Sequence, residues 1–392
     1  MKRSTERILV THAGSLPRPD DLIEAYREHR GEPDTDARLR SAVAAIVRQQ
    51  AAAGIDVVND GEYGKPVTDA VDFGAWATYI HERLSGYELR ELPNAQAVMK
   101  EILGESKDRH DFAAYYAAAA AGVSADRRRA PAYKLSVNVG PIRYTGQALV
   151  QRDIANFKAA LAGARVEDAF LSAVFTGVQI GTSEHYGSRE AEAVAVAEAV
   201  REEYKAIVAA GLCVQIDDPI LVNVYEMNYS MSGDLAGFRD WAARHVELVN
   251  HALEGIPEDR VRYHLCWGSW VGPHSTDLPI ADVIDLLLRV KASQYSFEAA
   301  NAQHEHEWKV WKGVKLPPGR AVIPGVVTHK THVLEHPELV ADRIVRYAEI
   351  VGRENVVAGT DCGFGGRIHP QLAWAKLKAL VEGAALATRR LW

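Results

Sequence analysis

The sequence predicts a (β/α)8 barrel, and three observations lead there. Eight short strand-like runs recur along the chain, with patterned helical stretches between them. Strand–helix alternation of this kind gives a parallel sheet, and eight such units suit a closed barrel. Polar residues gather at the carboxyl ends of the runs, the rim where barrels of this kind carry their sites.

The runs are ILVTHAG (8–14), DVVNDGE (56–62), AFLSAVFTG (169–177), CVQIDDP (213–219), VRYHLCWG (261–268), QYSFEAAN (294–301), AVIPGVV (321–327) and NVVAGTDCG (355–363). Before the last of them, ELVADRIVRYAEIVG reads as a helix with Leu339, Ile344, Val345, Tyr347 and Ile350 along one face. One connection is too long. About a hundred residues separate Glu62 from Phe170, where a βα unit needs only a few tens. Residues 64–168 therefore read as an insertion within a single barrel domain spanning 1–392, with a strand candidate of its own, YKLSVNVGPIRY (133–144). Three roles are open for it: a lid, a contact in a homo-oligomer, or a plain structural appendage.

Composition narrows the function. A formal charge of −7 lacks the basic excess that a general nucleic-acid binder needs for phosphates. No stretch is apolar enough to span a bilayer, and the start is unlike a signal peptide. Three Cys are too few for a disulfide framework, so a reducing, cytoplasmic setting is expected, with no nucleic-acid or membrane partner. Fifteen His prompt a search for metal ligands.

That search stops at His264 and Cys266. Side chains two apart on a strand point the same way, so both project from one strand end. Glu298 ends the next run and Cys362 the last. One His, two thiolates and a carboxylate make a tetrahedral set suited to Zn2+. A lone His at a strand end is more often a hydrogen-bonded structural residue, and a lone Cys a small core residue. Four ligand types at matched depth on three strands make a costlier coincidence. Other rim groups are His12, Ser15, Asp60, Glu62, Lys65, Asp217 and Asp218, for which capping and turn roles stay equally open.

HLCWG, YSFEAAN and GTDCGFG, together with THAGSLPRP, DGEYGK and QIDDP, resemble the catalytic domain of cobalamin-independent methionine synthases and their shorter relatives, which include epoxyalkane:coenzyme M transferases. The likeness runs in order from about Thr11 to Arg367 and is weakest across the excursion. It implies a catalytic zinc on His264, Cys266, Glu298 and Cys362, with Ser15, Glu62 and Asp217 holding an amino-acid thiol. The chain departs from the pattern in three ways. There is no room for the second barrel of the full-length synthases. QIDEP reads QIDDP. The strand that would carry a general-acid His reads GVVTHKTH, with Thr328 and Lys330 at the family's Asp and His positions. The acid is then His329, His332 or a group near Asp217.

The expected function is a zinc-dependent thiol alkyltransferase whose partners are a small thiol and an alkyl donor. Methyl transfer to a thiol such as homocysteine, as in methionine biosynthesis, is the first form. Epoxide opening by a thiol such as coenzyme M is the alternative, with Arg18 and Lys330 as candidates for a sulfonate. A non-catalytic barrel with a structural zinc is the reading from another class. A metal-free decarboxylase-type barrel ranks below these, since the rim shows Cys and His in place of several Arg.

Overall fold

The computed structural model describes residues 1–28, 33–66, 75–91, 106–118, 134–175, 181–268 and 271–392. In chain order its strands are β1 (Leu9–Val10), β2 (Val57–Val58), β3 (Tyr87–Glu91), β4 (Lys134–Asn138), β5 (Asp168–Val174) and β6 (Gly181–Ser183). Then follow β7 (Cys213–Asp218), β8 (Val261–Leu265), β9 (Gln294–Phe297), β10 (Ala321–Val327) and β11 (Val357–Thr360). All except β3, β4 and β6 form one parallel sheet in which sequence neighbours are spatial neighbours. Its two ends meet. Asp56 N donates to Val10 O at 2.9 Å, Val10 N donates to Asp56 Oδ2 at 2.8 Å, and the Thr11 hydroxyl donates to Val57 O at 2.9 Å. The sheet is thereby closed into the barrel that the alternation predicts.

Each of the eight runs overlaps one barrel strand, β5 starting one residue before its run, and several strands are shorter than their runs. Beyond Val10 and Val58 the backbone turns from the ladder to side chains. Ala13 N donates to Thr360 Oγ1 at 2.9 Å, and Asn59 N donates to Gln50 Oε1 at 3.1 Å. Residues 176–177 of the third run lie outside the described residues. The helix Pro337–Val351 forms as expected, with its buried face on Val340, Ile344 and Tyr347; Leu339, read as part of that face, is exposed.

Within 64–168, segments 67–74, 92–105 and 119–133 lie outside the described residues. Antiparallel β3–β4 joins β6 in a separate three-stranded sheet. Helix Gln147–Leu161 packs against the helices Pro33–Ala53 and Arg189–Ala209, as the crossover between β2 and β5 should.

Strand parity positions the site. Register pairs Gln215 with Arg262 and Gln294 at one level, and Asp217 with His264 and Ser296 two residues higher. Arg262 reaches across the barrel to β1, donating to Thr11 Oγ1 at 3.1 Å and His12 O at 3.0 Å, so this face points inward. Its guanidinium also sits 3.9 Å from the Phe170 ring centre. Burial lowers the Arg262 pKa to about 10, which still leaves a cation beneath the rim carboxylates at neutral pH.

Asp218, read with Asp217 as a rim group, faces the other way, because adjacent strand residues point to opposite sides. Its Oδ2 lies 2.6 Å from His245 Nε2 and accepts from the Tyr263 hydroxyl at 2.7 Å, while its Oδ1 accepts from Ile220 N and Leu221 N. Burial alone would raise its pKa, but His245 and these donors hold it below the usual carboxylate range. Its stabilising contribution is therefore complete above about pH 4 and fades as pH falls through the folded-state pKa. Asp218→Ala should cost about 3 kcal/mol in denaturant melts near neutral pH, with a smaller deficit in strong acid. A cost unchanged between neutral and acid conditions would contradict this role.

Candidate metal centre

Residues 96 apart in the chain meet at the rim: Cys266 Sγ lies 3.7 Å from Cys362 Sγ. His264, Cys266 and Cys362, all buried, each offer a ligand atom within 4.8 Å of the other two. The imidazole is oriented by β9, where Ser296 Oγ lies 3.0 Å from His264 Nδ1. That leaves the buried Nε2 without a hydrogen-bond partner among the described residues. A hydrogen-bonded Nδ1 beside an unpartnered Nε2 is the arrangement of a metal-ligating His. Gly268 N donates to Cys266 Sγ at 3.4 Å. The three groups fit one metal ion.

The two thiols are electrically coupled. A hydrogen bond shared between the two sulfurs, in which either can be the donor, pulls Cys362 well below the ordinary thiol pKa and pushes Cys266 well above it. Arg367 and His264 add to the pull on Cys362. Burial works against charge on His264, but Cys362 beside it raises its pKa overall. The shared hydrogen bond favours charge on Cys362 over Cys266, and a metal would hold both as thiolates.

Glu298 stands at the same rim outside that trio. Its Oε1 accepts from Trp267 N at 3.2 Å, and its Oε2 accepts from Asn301 Nδ2 at 2.7 Å and lies 3.2 Å from Lys330 Nζ. Burial raises its pKa to about 7, with Lys330 opposing. Asp361 anchors this corner, accepting from Ala299 N and Ala300 N.

The amino-terminal loops close the rim. Ser15 O accepts from Phe364 N and Gly365 N, and Arg367 bridges Gly363 O and Ser15 Oγ. A Cβ on Gly363 would lie 2.3 Å from Ser15 Oγ, which explains the small residue in CGFGG. Glu62 sits in a left-handed turn at φ 60°, with its backbone N donating to Asp60 Oδ1 and its carbonyl accepting from Arg18. Glu62 and Asp217 do converge, and between them lies Lys65. Its Nζ is 3.2 Å from Glu62 Oε2 and 3.6 Å from Asp217 Oδ2. Burial opposes charge on Lys65, but the two carboxylates raise its pKa overall. Burial lifts Asp217 to about 6 against the pull of Lys65.

Several rim expectations change. His12 is structural: Nε2 lies 2.8 Å from Gln50 Oε1 and Nδ1 accepts from Gly14 N. His332 is exposed on the surface. Arg18 is spent on the carbonyls of Glu62 and Lys65, and Lys330 on Glu298, so the sulfonate pocket drawn from them is not preformed. His329 is buried, with both ring nitrogens unpartnered among the described residues. Burial pushes its pKa down to about 3, helped by Arg367 and Lys330 and opposed by Cys362, so the ring is neutral near pH 7.

A buried chain behind Glu298 escaped the sequence reading. His304 lies between Glu307 Oε2 at 2.8 Å and Asp277 Oδ2 at 3.2 Å, and Asp277 also meets His274 Nδ1 at 3.0 Å. Burial opposes charge on His304, yet Asp277 and Glu307 raise its pKa to about 9, so it stays protonated. The three-residue spacings His274–Asp277 and His304–Glu307 were the available signal.

A family model described as the catalytic domain of cobalamin-independent synthase matches residues 92–386. The chain belongs to the cobalamin-independent synthase family. Two curated relatives match nearly the whole chain at low identity. The 2-hydroxypropyl-CoM lyase of Xanthobacter autotrophicus is 26% identical, covering 97% of this chain and 90% of that protein. The methionine synthase of Sulfolobus acidocaldarius is 25% identical, covering 97% of this chain and 93% of that protein. The fold is likewise that of a B12-independent methionine synthase from Shewanella sp. W3-18-1, solved with selenomethionine, at a TM-score of 0.71 and 21% identity over 98% of this chain and 99% of that one.

The coupled thiols predict a spectroscopic signature. Metal-free protein should show the ultraviolet absorbance of one thiolate at neutral pH, where an ordinary thiol of pKa ~8.5 is mostly protonated. Cys362→Ser should remove it. Absorbance that persists in Cys362→Ser would contradict the coupling.

Proposed function

We propose that this protein is a zinc-dependent thiol alkyltransferase with His264, Cys266, Cys362 and Glu298 as the zinc ligands. The observation that carries the reading is the buried convergence of His264, Cys266 and Cys362 around an unpartnered imidazole nitrogen. Zinc held there would strip the proton from an incoming thiol and keep its sulfur nucleophilic. Glu298 is the exchangeable member of the set, because Trp267 N, Asn301 and Lys330 already hold its carboxylate and can keep it when it leaves the ion. A position that can open separates this centre from a closed structural zinc.

His329 is the proton relay of this scheme. Its neutral ring, with both nitrogens unpartnered among the described residues, hands the thiol's proton on to the leaving amine or the opened epoxide oxygen in one concerted relay, because a ring that burial holds near pKa 3 is too weak a base to store that proton. Asp217, level with His264 across the ladder, holds the substrate side of the pocket with Glu62 and Ser15. Methyl transfer to a thiol is the first form of the reaction, following the relatives named as methionine synthases. Epoxide opening by a thiol is the second, favoured by the Lys65 contact, which occupies the carboxylates an amino-acid thiol would use.

Two experiments test the proposal. Protein purified without chelator should carry about one zinc per chain and consume a thiol, homocysteine or coenzyme M, when given a methylfolate or an epoxide. Cys266→Ser should lose the zinc and at least about a hundredfold in turnover, a deficit of at least ~2.7 kcal/mol in transition-state stabilisation. Full activity with unchanged metal content in Cys266→Ser would refute the assignment. Ser296→Ala, which only frees His264 Nδ1, should weaken zinc binding by about 10–100-fold, measured by chelator competition.

A further inference from the structure

Glu62 and Asp217 are the two acidic groups at the rim beside the sulfur cluster, and both are already engaged. One oxygen of each faces Lys65, with Glu62 Oε2 at 3.2 Å and Asp217 Oδ2 at 3.6 Å from Nζ. The other oxygen of Asp217 accepts from Gln215 Nε2 at 2.6 Å. The other oxygen of Glu62 is packed against Gly14, where a Cβ would lie 2.1 Å from Oε1. The three side chains are between 4 and 8% exposed. Lys65 is held from its backbone as well: its N donates to Glu62 O at 3.1 Å, and its Nζ lies 5.3 Å from the centre of the Tyr79 ring. On the side away from the sulfur cluster, a cavity of about 20 Å3 touches Glu62, Lys65, Ser172 and Tyr79, room for one water and not for the Lys65 ammonium to withdraw into.

We propose that Lys65 is a built-in ammonium filling the seat that a substrate amino group would take, so that the acceptor of this enzyme is a thiol without an amino group. The inference rests on the thiol-alkyltransferase reading and names its substrate class. An amino-acid thiol would bring a second cation to two carboxylates that already share the Lys65 ammonium. It would have to expel Lys65 from a buried ion pair or give up its own hydration without compensation. A mercapto acid lacking the amine meets neither obstacle. Lys65 is thus a specificity residue that acts by occupying an acid pair.

The test separates binding from chemistry. Titration calorimetry, on zinc-free and zinc-loaded protein, compares methionine with its des-amino counterpart, the thioether that lacks only the amine. The wild-type protein should bind the des-amino thioether at least about tenfold more tightly. Lys65→Met should reverse that order by exposing both carboxylates to the ligand, and Lys65→Arg should keep it. Methionine binding as tightly as its counterpart to the wild type would overturn the proposal, and so would absence of binding by both. If Lys65→Met does not fold, the wild-type comparison decides alone. Alkyl transfer to homocysteine, des-amino homocysteine and coenzyme M, each with a methylfolate and with an epoxide, is measured in parallel. Turnover of none would sink the alkyltransferase reading, while the calorimetric order still decides the role of Lys65.

Discussion

Two sulfurs 3.7 Å apart, contributed by the residue that follows β8 and by the loop after β11, set the constraint on which the rest of this site depends. They can meet only if the barrel closes and the strands between them keep register. Closure comes from Asp56, which bonds both the N and the O of Val10 and so joins the first two strands. Register brings Asp217, His264 and Ser296 to one level, so the ligand His receives its orienting hydroxyl from a neighbouring strand. A slip of one residue would turn every inward group to the helix layer.

The second constraint is charge. The interior of this barrel holds carboxylates, guanidinium, ammonium and imidazolium groups that burial alone would neutralise. They persist because each is set against a partner: Lys65 against Glu62 and Asp217, Lys330 against Glu298, and His304 against Asp277 and Glu307. Arg262 differs, resting on a hydroxyl, a carbonyl and an aromatic face beneath the rim. His329, like His12, is an imidazole that burial holds neutral. A neutral ring with both nitrogens unpartnered among the described residues can pass a proton on without holding it, which is why it enters the proposed chemistry as a relay.

Much of this was legible in the sequence, and the reasons are physical. Period-two alternation makes His264 and Cys266 share a face, so their joint projection could be read from spacing alone. The same rule, applied to Asp217 and Asp218, would have sent the second to the helix layer. Reading both as rim groups ignored it, and Asp218 proved to tie β7 to His245 and Tyr263. Leu339 was misplaced for a related reason: several apolar residues crowd one helix, and which stripe is buried depends on the sheet beneath. The engagement of Lys65 was not readable, because it needs a left-handed turn at Glu62 and the meeting of two strands far apart in sequence. The His274–Asp277–His304–Glu307 chain hid likewise behind ordinary local spacing.

The most direct test of the central claim is X-ray absorption at the zinc edge, with and without a thiol. The account predicts two sulfurs at about 2.3 Å with lighter donors completing the shell, and a third sulfur at the same distance once thiol is added. A shell that keeps two sulfurs while the thiol is being consumed would contradict it.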